Sequence, residues 1–183
     1  MNKPKQDMLS VAEALAIVTA GVSLVSTEQV PLPAALGRVL AEDVAARLSH
    51  PPADVSAMDG YAVRAEDVAE VPVRLKQTGE SAAGSGFDGA ISAGEVVRIF
   101  TGAPMPAGDD GTRASGPDTV FMEEDCEADG GEVVLPAGLK RGSNRRHAGE
   151  DVTAGSVIIK AGRRLRAQEI GLAASVGREA LSV

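Results

Sequence analysis

The first apolar pattern in the chain is a stripe near the N-terminus. Its members recur at spacings of four and three residues: Val11, Leu15, Val18, Val22 and Val25. This periodicity predicts an amphipathic helix. Ser10 and Glu13 form the pattern of a capping box, which marks the start of that helix. Gly21 weakens its last turn, so the predicted end lies within residues 20–25.

Short apolar runs separated by glycine and proline dominate the rest of the chain. Extended segments are predicted at residues 28–32 and 39–47, and further strands at 71–77, 95–100, 119–123 and 132–135. Residues 79–94 contain five glycines and are predicted to form a loop. Towards the C-terminus we expect a strand at 156–160, a helix at 167–176 that Gly177 caps, and the beginning of a strand at 180–183.

The order of these elements predicts a mixed α+β fold that is mainly β. A helix and strands at both ends flank an all-β middle, and Pro51 with Pro52 fixes an extended boundary between them. We therefore expect a discontinuous first domain, residues 1–50 and 146–183, with a β-rich second domain, residues 51–145, inserted into it. Because the sequence stops as it enters a strand, we expect the natural chain to continue beyond Val183.

Composition excludes several classes of protein. The 183 residues are 44% hydrophobic and 24% charged, as in an ordinary globular protein. No apolar run approaches the ~20 residues that a membrane helix needs, and no leader segment is recognisable, so we expect a cytoplasmic location without membrane contact. One cysteine, Cys126, and two histidines, His50 and His147, argue against disulfide frameworks, thiolate metal clusters and Ser-His-Asp hydrolases. A net charge of −8 and four aromatic residues argue against nucleic-acid binding.

The charge is also unevenly distributed along the chain. Residues 109–132 contain nine acidic residues and one basic residue, whereas residues 138–166 contain eight basic and two acidic residues. Two interpretations are open. The two stretches are solvated faces, or the basic stretch holds an anionic small ligand.

Three clusters are candidates for chemistry, and the first two follow each other closely. In residues 56–61, Asp59 lies between small residues and Gly60 is free to take a positive φ, so that the carboxylate can face a ligand. The same Asp-Gly pair is also typical of a hairpin turn. In residues 101–108, the Thr101 hydroxyl and free amides can bind an oxyanion. A simple Pro/Gly turn capped by Thr101 is the alternative.

The third cluster lies in residues 142–151. The guanidinium groups of Arg145 and Arg146 are suited to phosphates and carboxylates. Glu150 and Asp151 equally suit a role in neutralising these arginines within the loop, and exposed pairs of this kind contribute only about 0–1 kcal/mol. Spacing alone leaves the choice open.

Together, the three clusters resemble the MoeA and gephyrin E-domain family. The resemblance extends from about Ser10 to Val183, and several ordered motifs are far more specific than any one of them. The matching stretches are PPADVSAMDGYAVR (51–64), Gly79-Glu80 with Ala83-Gly84, RIFTGAPMPAG (98–108), GSNRRHAGEDV (142–152), Ala161-Gly162 and EIGLAASVG (169–177).

The chain departs from the family pattern in three places. Ala53 and Val55 stand where the family usually has an aromatic and a polar residue, and Arg145 stands where an apolar residue is usual. Residues 109–117 form an insertion rich in Gly, Ser, Asp and Pro. We expect this insertion to be a mobile surface loop whose deletion leaves the melting temperature nearly unchanged.

The resemblance implies an enzyme of molybdenum cofactor biosynthesis. The family inserts molybdate into adenylylated molybdopterin and releases AMP, with a divalent cation such as Mg²⁺. It also implies a homodimer whose cleft lies between the second domain of one subunit and the third, catalytic α/β domain of the other, which would follow Val183. The molybdopterin adenylyltransferase is a further candidate partner. A non-enzymatic dimerising scaffold or a ligand-binding module of the same family is the alternative.

The resemblance also implies the residues that line the cleft. Carried over by motif, the expected catalytic residues are Asp59, Thr101 and Asp151. The expected substrate-binding positions are Ser56, Met58, Gly60, Gly102, Asn144, Arg146 and Glu150. The resemblance assigns no metal ligands.

Overall fold

The computed structural model describes residues 8–136 and 138–183. These residues form two α-helices, α1 (Val11–Thr19) and α2 (Ala167–Ser175), three short 3-10 helices and fourteen strands. In chain order the strands are β1 (Gln29–Pro31), β2 (Val44–Ala45), β3 (Val55–Ser56), β4 (Gly60–Val63), β5 (Val73–Ser81), β6 (Ala90–Ile91), β7 (Glu95–Ile99), β8 (Ala107–Gly108), β9 (Thr119–Met122), β10 (Glu127–Asp129), β11 (Glu132–Leu135), β12 (Arg145–Arg146), β13 (Val157–Ile159) and β14 (Ala180–Ser182). The predicted α+β fold, mainly β, is confirmed.

A six-stranded sheet forms the middle of the chain, with the order β10-β11-β5-β7-β4-β9. Neighbouring strands are antiparallel except β5 and β7, which are parallel. β4 lies between β7 and β9, so that Gly60 is opposite both Ile99 and Met122. One face of the sheet covers a buried cluster that consists of Tyr61, Val63, Val68, Leu75, Val96, Phe121, Val133 and Leu135.

The two ends of the chain pair with each other. β1 pairs with β14 and β2 with β13, both antiparallel. A second buried cluster unites these ends: Val30, Ala35, Leu40, Val44, Ile159, Leu165, Ala173 and Leu181. The ends and the middle therefore bury separate apolar cores. The domain boundaries at residues 50 and 146 stay a prediction, which this separation of cores supports.

Several predicted elements differ in length from the observed ones. α1 ends at Thr19, before the predicted range, and of residues 39–47 only Val44–Ala45 forms a strand, while Val39 makes an isolated bridge to Arg164. β5 continues to Ser81, inside the stretch predicted as a loop, and its register against β7 shifts between Gln77 and Gly79. Of the five glycines in this stretch, Gly79 lies within β5 at the register irregularity.

The apolar stripe of α1 faces solvent rather than a core. Ser10 and Glu13 form the predicted capping box, but no residue of α1 is buried. The exposed fractions are large within the helix, with Val11 at 88%, Leu15 at 62% and Val18 at 74%, and also after its end, with Val22 at 76% and Val25 at 89%. α1 is thus an amphipathic helix without a packing partner among the described residues. Within those residues, no helix has the length and apolar character needed to cross a membrane.

The insertion at residues 109–117 is more compact than expected. Asp110 accepts hydrogen bonds from the Thr112 amide at 2.7 Å and from the Ser115 hydroxyl, while Gly116 and Pro117 are buried. A Cβ on Gly116 would lie 2.5 Å from the carbonyl oxygen of Pro106. The expectation of a surface loop is therefore wrong for the last two residues, which pack closely against the segment before the insertion, and the effect of a deletion on the melting temperature stays a prediction.

Candidate functional site

The first two predicted clusters meet at the end of the central sheet. Asp59 directly precedes β4, and Thr101 follows β7, its antiparallel neighbour. The Asp59 carboxylate accepts hydrogen bonds on Oδ1 from the Thr101 amide at 2.7 Å and from the Thr101 hydroxyl at 2.8 Å. Two residues 42 positions apart thus form one exposed site.

The surroundings of Asp59 favour its charged form. The backbone N–H of Thr101, then its hydroxyl, and then the positive charge of Arg98 hold the pKa of Asp59 below its usual value. Arg98 is itself fixed by a hydrogen bond to the Gly60 carbonyl at 3.3 Å and lies 5.1 Å from the centre of the Tyr61 ring. A carboxylate held in this way attracts cations and hydrogen-bond donors, and it repels anions such as molybdate.

Gly60 is required for a reason that differs from the predicted one. Its φ is not positive; instead, a Cβ at this position would lie 1.8 Å from the carbonyl oxygen of Phe121. β4 and β9 approach so closely there that only glycine fits. The motif is therefore not a hairpin turn. Gly60 is the first residue of β4, a central strand, and Asp59 directly precedes it.

Ser56, which is buried, and Gly102, which is exposed, hold the two segments of the site together through hydrogen bonds. Ser56 is 1% exposed, and its hydroxyl donates to the Met58 carbonyl at 2.6 Å and accepts from the Met58 amide at 3.2 Å. The Gly102 amide donates to the Ser56 carbonyl at 2.9 Å, and Gly102 has a φ of +80°. These bonds position the segments that carry Asp59 and Thr101. Met58, by contrast, is 41% exposed.

The third cluster forms an ion-pair network of its own. The Arg146 guanidinium donates to the Asp151 carboxylate and lies 3.6 Å from Glu150 Oε1. His50 Nε2 lies 3.9 Å from the other Asp151 oxygen, and Glu150 Oε2 accepts from the His147 amide at 2.9 Å. The Arg146 hydrogen bond lowers the pKa of Asp151 and keeps it ionised. The sequence left open whether these arginines bind an anionic ligand or are neutralised by Glu150 and Asp151, and the contacts of Arg146 are those of neutralisation within the loop.

Asn144 links the third cluster to the sheet. It has a φ of +58°, its side-chain amide donates to the Val120 carbonyl at 2.9 Å, and its own carbonyl accepts from Ala57 at 2.9 Å. β12 pairs with β3, with Arg146 opposite Val55. The backbone thus brings the first and third clusters side by side. No hydrogen bond or ion pair between described residues joins Asp151 to Asp59 or Thr101.

Sequence reasoning missed two charged residues near the candidate site. Arg98 belongs to the matched stretch 98–108, but the sequence does not show that it contacts Gly60 on the neighbouring strand β4. Asp54 accepts from the Ala148 amide at 2.8 Å and lies 3.7 Å from both Arg145 Nη1 and His147 Nδ1. The sequence contained one signal for this contact: Asp54 is an acidic residue just before the first cluster, and its charge is opposite to that of the basic stretch 138–166.

The described residues contain no group of three or more His, Cys, Asp or Glu side chains that could hold a metal ion. These residues therefore do not form a complete metal site. The magnesium implied by the resemblance stays a prediction.

Comparisons with known proteins agree with the motifs. Residues 9–177 match the family model of the MoeA N-terminal region, domains I and II. The chain is similar to a molybdopterin molybdenumtransferase of Nostoc sp. (40% identity over 153 residues, 81% of this chain and 33% of the relative) and to one of Synechococcus elongatus (34% over 183 residues, 96% and 43%).

A solved structure shows the same fold. The crystal structure of a molybdopterin biosynthesis MoeA protein from Pyrococcus horikoshii superposes with a TM-score of 0.86 at 31% identity, covering 97% of this chain and 46% of that protein. The chain thus spans between a third and a half of the length of these relatives. The family match over residues 9–177, together with these similarities, shows that the chain belongs to the MoeA N-terminal region family.

Proposed function

We propose that this chain supplies the N-terminal part of an enzyme that inserts molybdate into adenylylated molybdopterin and releases AMP. Its relatives from Nostoc and Synechococcus elongatus are molybdopterin molybdenumtransferases, and the family match supports the same place in molybdenum cofactor biosynthesis. The observation that carries the proposal is the contact between Asp59 and Thr101, which unites two family motifs in one exposed site.

Asp59 has the chemistry of a positioning group. The hydrogen bonds to its carboxylate from described residues all reach Oδ1, and Oδ2 is the oxygen on which we place a donor group of the substrate or a cation. Because the carboxylate repels molybdate, its partner is the pterin part of the substrate or Mg²⁺ rather than the oxyanion. Thr101 fixes the orientation of Asp59, and no general base is required of either residue.

Asp151 has a supporting role in this proposal. Its charge is balanced by Arg146, and Glu150 lies beside the same guanidinium. This network holds the loop after β12 next to β3, and through β3 next to the segment that carries Asp59. A cytoplasmic location and binding of the molybdopterin adenylyltransferase stay predictions.

Replacing Asp59 tests the proposed activity. In the protein produced from the full reading frame that encodes this chain, Asp59→Asn should reduce molybdate insertion at least tenfold, because the charge is lost while size and one acceptor oxygen are kept. Asp88→Asn, an exposed change outside the three clusters, is the matched control and should keep full activity. A folded Asp59→Asn enzyme with full activity would refute a role for Asp59 in the reaction.

The exposed stripe of α1 supports a homodimer. Val11, Leu15 and Val18 lie on one face of α1 and are each more than 60% exposed, and Val22 and Val25, which follow the helix, are exposed as well. Exposed apolar faces of this kind mark interaction sites, and we propose that a second copy of the protein covers this one. This dimer is compatible with either the enzyme or the non-enzymatic scaffold, and the Asp59→Asn assay separates the two.

Charge placed on the stripe tests the dimer. The double variant Leu15→Asp with Val18→Asp should raise the dimer dissociation constant at least tenfold in sedimentation equilibrium, because two charges would be buried without partners. Ala16→Asp adds a charge to the same helix away from the stripe and should have a much smaller effect. A double variant that dimerises as tightly as the unmodified protein would contradict the proposed interface.

A further inference from the structure

An open pocket with a volume of about 770 Å³ lies beside the third cluster. Its walls come from the segment before β3, the insertion, the residue before β9, and β12 with the residues on either side of it. Six charged or titratable side chains line it: Asp54, Arg113, Asp118, Arg141, Arg145 and His147. It is therefore a polar pocket to which segments far apart in sequence contribute cationic groups.

The two carboxylates of this pocket already have partners. Asp118, 8% exposed, accepts from the Ala65 amide at 2.9 Å, from the Thr119 hydroxyl at 3.0 Å and from Arg141 Nε. Burial opposes its ionisation, but these hydrogen bonds hold the pKa of Asp118 below its usual value. Asp54 accepts from the Ala148 amide at 2.8 Å. Three guanidinium groups and two carboxylates line the pocket, so the charged side chains of its lining carry a net positive charge.

Arg145 is held in the wall with its donors incompletely satisfied. Its side chain is 21% exposed, and its Nε is buried without a hydrogen-bond partner among the described residues. Its Nη1 lies 3.7 Å from Asp54 Oδ2, which is beyond hydrogen-bond length. A buried donor left unsatisfied is costly, and an anion that draws the guanidinium towards the pocket reduces that cost.

Arg113 and Arg141 complete the cationic wall. Arg113 is exposed on the insertion, and no ion pair with another described residue involves it. Arg141 uses Nε on Asp118, yet its side chain is 76% exposed, so that its terminal nitrogens remain accessible. Arg113 and Arg145 are both additions of this chain to the family pattern.

We propose that this pocket binds the phosphate group of a small molecule. A phosphate monoester presents three terminal oxygens, one for each of three guanidinium groups, whereas a carboxylate presents only two. The pocket volume is within the range of small-molecule sites. This site takes an anion, whereas Asp59 repels one, so the proposal does not depend on the proposed role of Asp59.

A titration of the purified chain tests this site. Inorganic phosphate and AMP are added separately, at an ionic strength kept constant with chloride, and amide shifts are followed by ¹H–¹⁵N NMR. Saturable shifts at the amides of Arg113, Gly142, Arg145 and Ala148 are expected with at least one probe. Tighter binding of AMP than of phosphate would indicate a nucleotide ligand, and equal binding would indicate free phosphate. No saturable shift with either probe would overturn the proposal.

Arginine variants show whether binding is specific to the pocket. Arg145→Gln and Arg113→Gln should each weaken binding of the better probe at least fivefold. Arg74→Gln removes the same charge from an exposed arginine on β5, 3.3 Å from Glu132, and should leave affinity unchanged. Arg113 is on an exposed loop, so its variant tests the site even where Arg145→Gln alters folding. Equal weakening by all three changes would mean nonspecific charge attraction and would refute the site.

Discussion

The two helices of this protein begin alike and pack differently. Each has nine residues, each is preceded by a leucine at the position before its N-cap, and each has a glutamate at its third position that binds the N-cap amide. α2 packs on a core: Ala173 in the helix and Val176 directly after it are fully buried. In α1, the more apolar of the two, every residue is at least partly exposed. Local sequence therefore determines where a helix starts, whereas packing depends on which other segments reach it.

The leucines before the two N-caps should show the largest difference. Leu165 is 1% exposed and lies in the core shared by the chain ends, whereas Leu9 is 59% exposed. Leu165→Ala should lower the free energy of unfolding by about 2–5 kcal/mol, because it removes buried methyl groups and leaves a cavity. Leu9→Ala should change it by less than about 0.5 kcal/mol. Urea denaturation of both variants measures the contrast, and similar losses would show that α1 is packed in the isolated chain.

Replacing the glycine that follows each helix by alanine should change the free energy of unfolding by a smaller amount, and in opposite directions for the two glycines. Gly177 has a φ of +82°, and a Cβ there would lie 3.1 Å from Leu48 side-chain atoms, whereas Gly21 has open space around it. Gly177→Ala should cost about 1–2 kcal/mol of stability from the left-handed backbone. Gly21→Ala should be neutral or stabilise by up to about 1 kcal/mol, since alanine restricts the unfolded chain. Melting curves that shift in the same direction for both variants would contradict this difference.

The same division between local and distant information explains what could be predicted. The capping box of α1 and the cap at Gly177 depend on neighbours within a few residues, and both are confirmed. β4 was missed because Asp59-Gly60 is also typical of a turn, and the demand for glycine comes from Phe121, 61 positions away.

The candidate site shows the same limit. Spacing alone left Asp59 and Thr101 as two separate clusters, because only the pairing of β4 with β7 joins them. The family resemblance pointed to both residues, since it contains information about distant contacts. It does not describe the pocket with Arg113 and Arg145, because both residues depart from the family pattern.

The glutamates at the third helical position should show the smallest contrast. Glu169 binds Arg163 and Arg166 as well as the Arg166 amide, whereas Glu13 binds only Ser10. The Arg166 hydrogen bond lowers the pKa of Glu169 far below its usual value, and the Ser10 hydroxyl lowers that of Glu13 to a lesser extent. Glu169→Gln should therefore lower the melting temperature at pH 7 more than Glu13→Gln does. Half-exposed arginines keep the effect modest and sensitive to salt.

The pH dependence of this pair follows from the direction of the pKa shifts. A carboxylate whose pKa is lower in the folded state stabilises that state above its unfolded value of about 4.3, and the contribution is lost as the pH falls towards the folded value. The difference between the unmodified protein and Glu169→Gln should thus be constant from pH 7 to about 5 and should shrink below about pH 4. Parallel melts of both variants across this range measure it. If the loss of melting temperature in Glu169→Gln grows as the pH falls, or equals the loss in Glu13→Gln, the ion pairs around Glu169 do not stabilise α2.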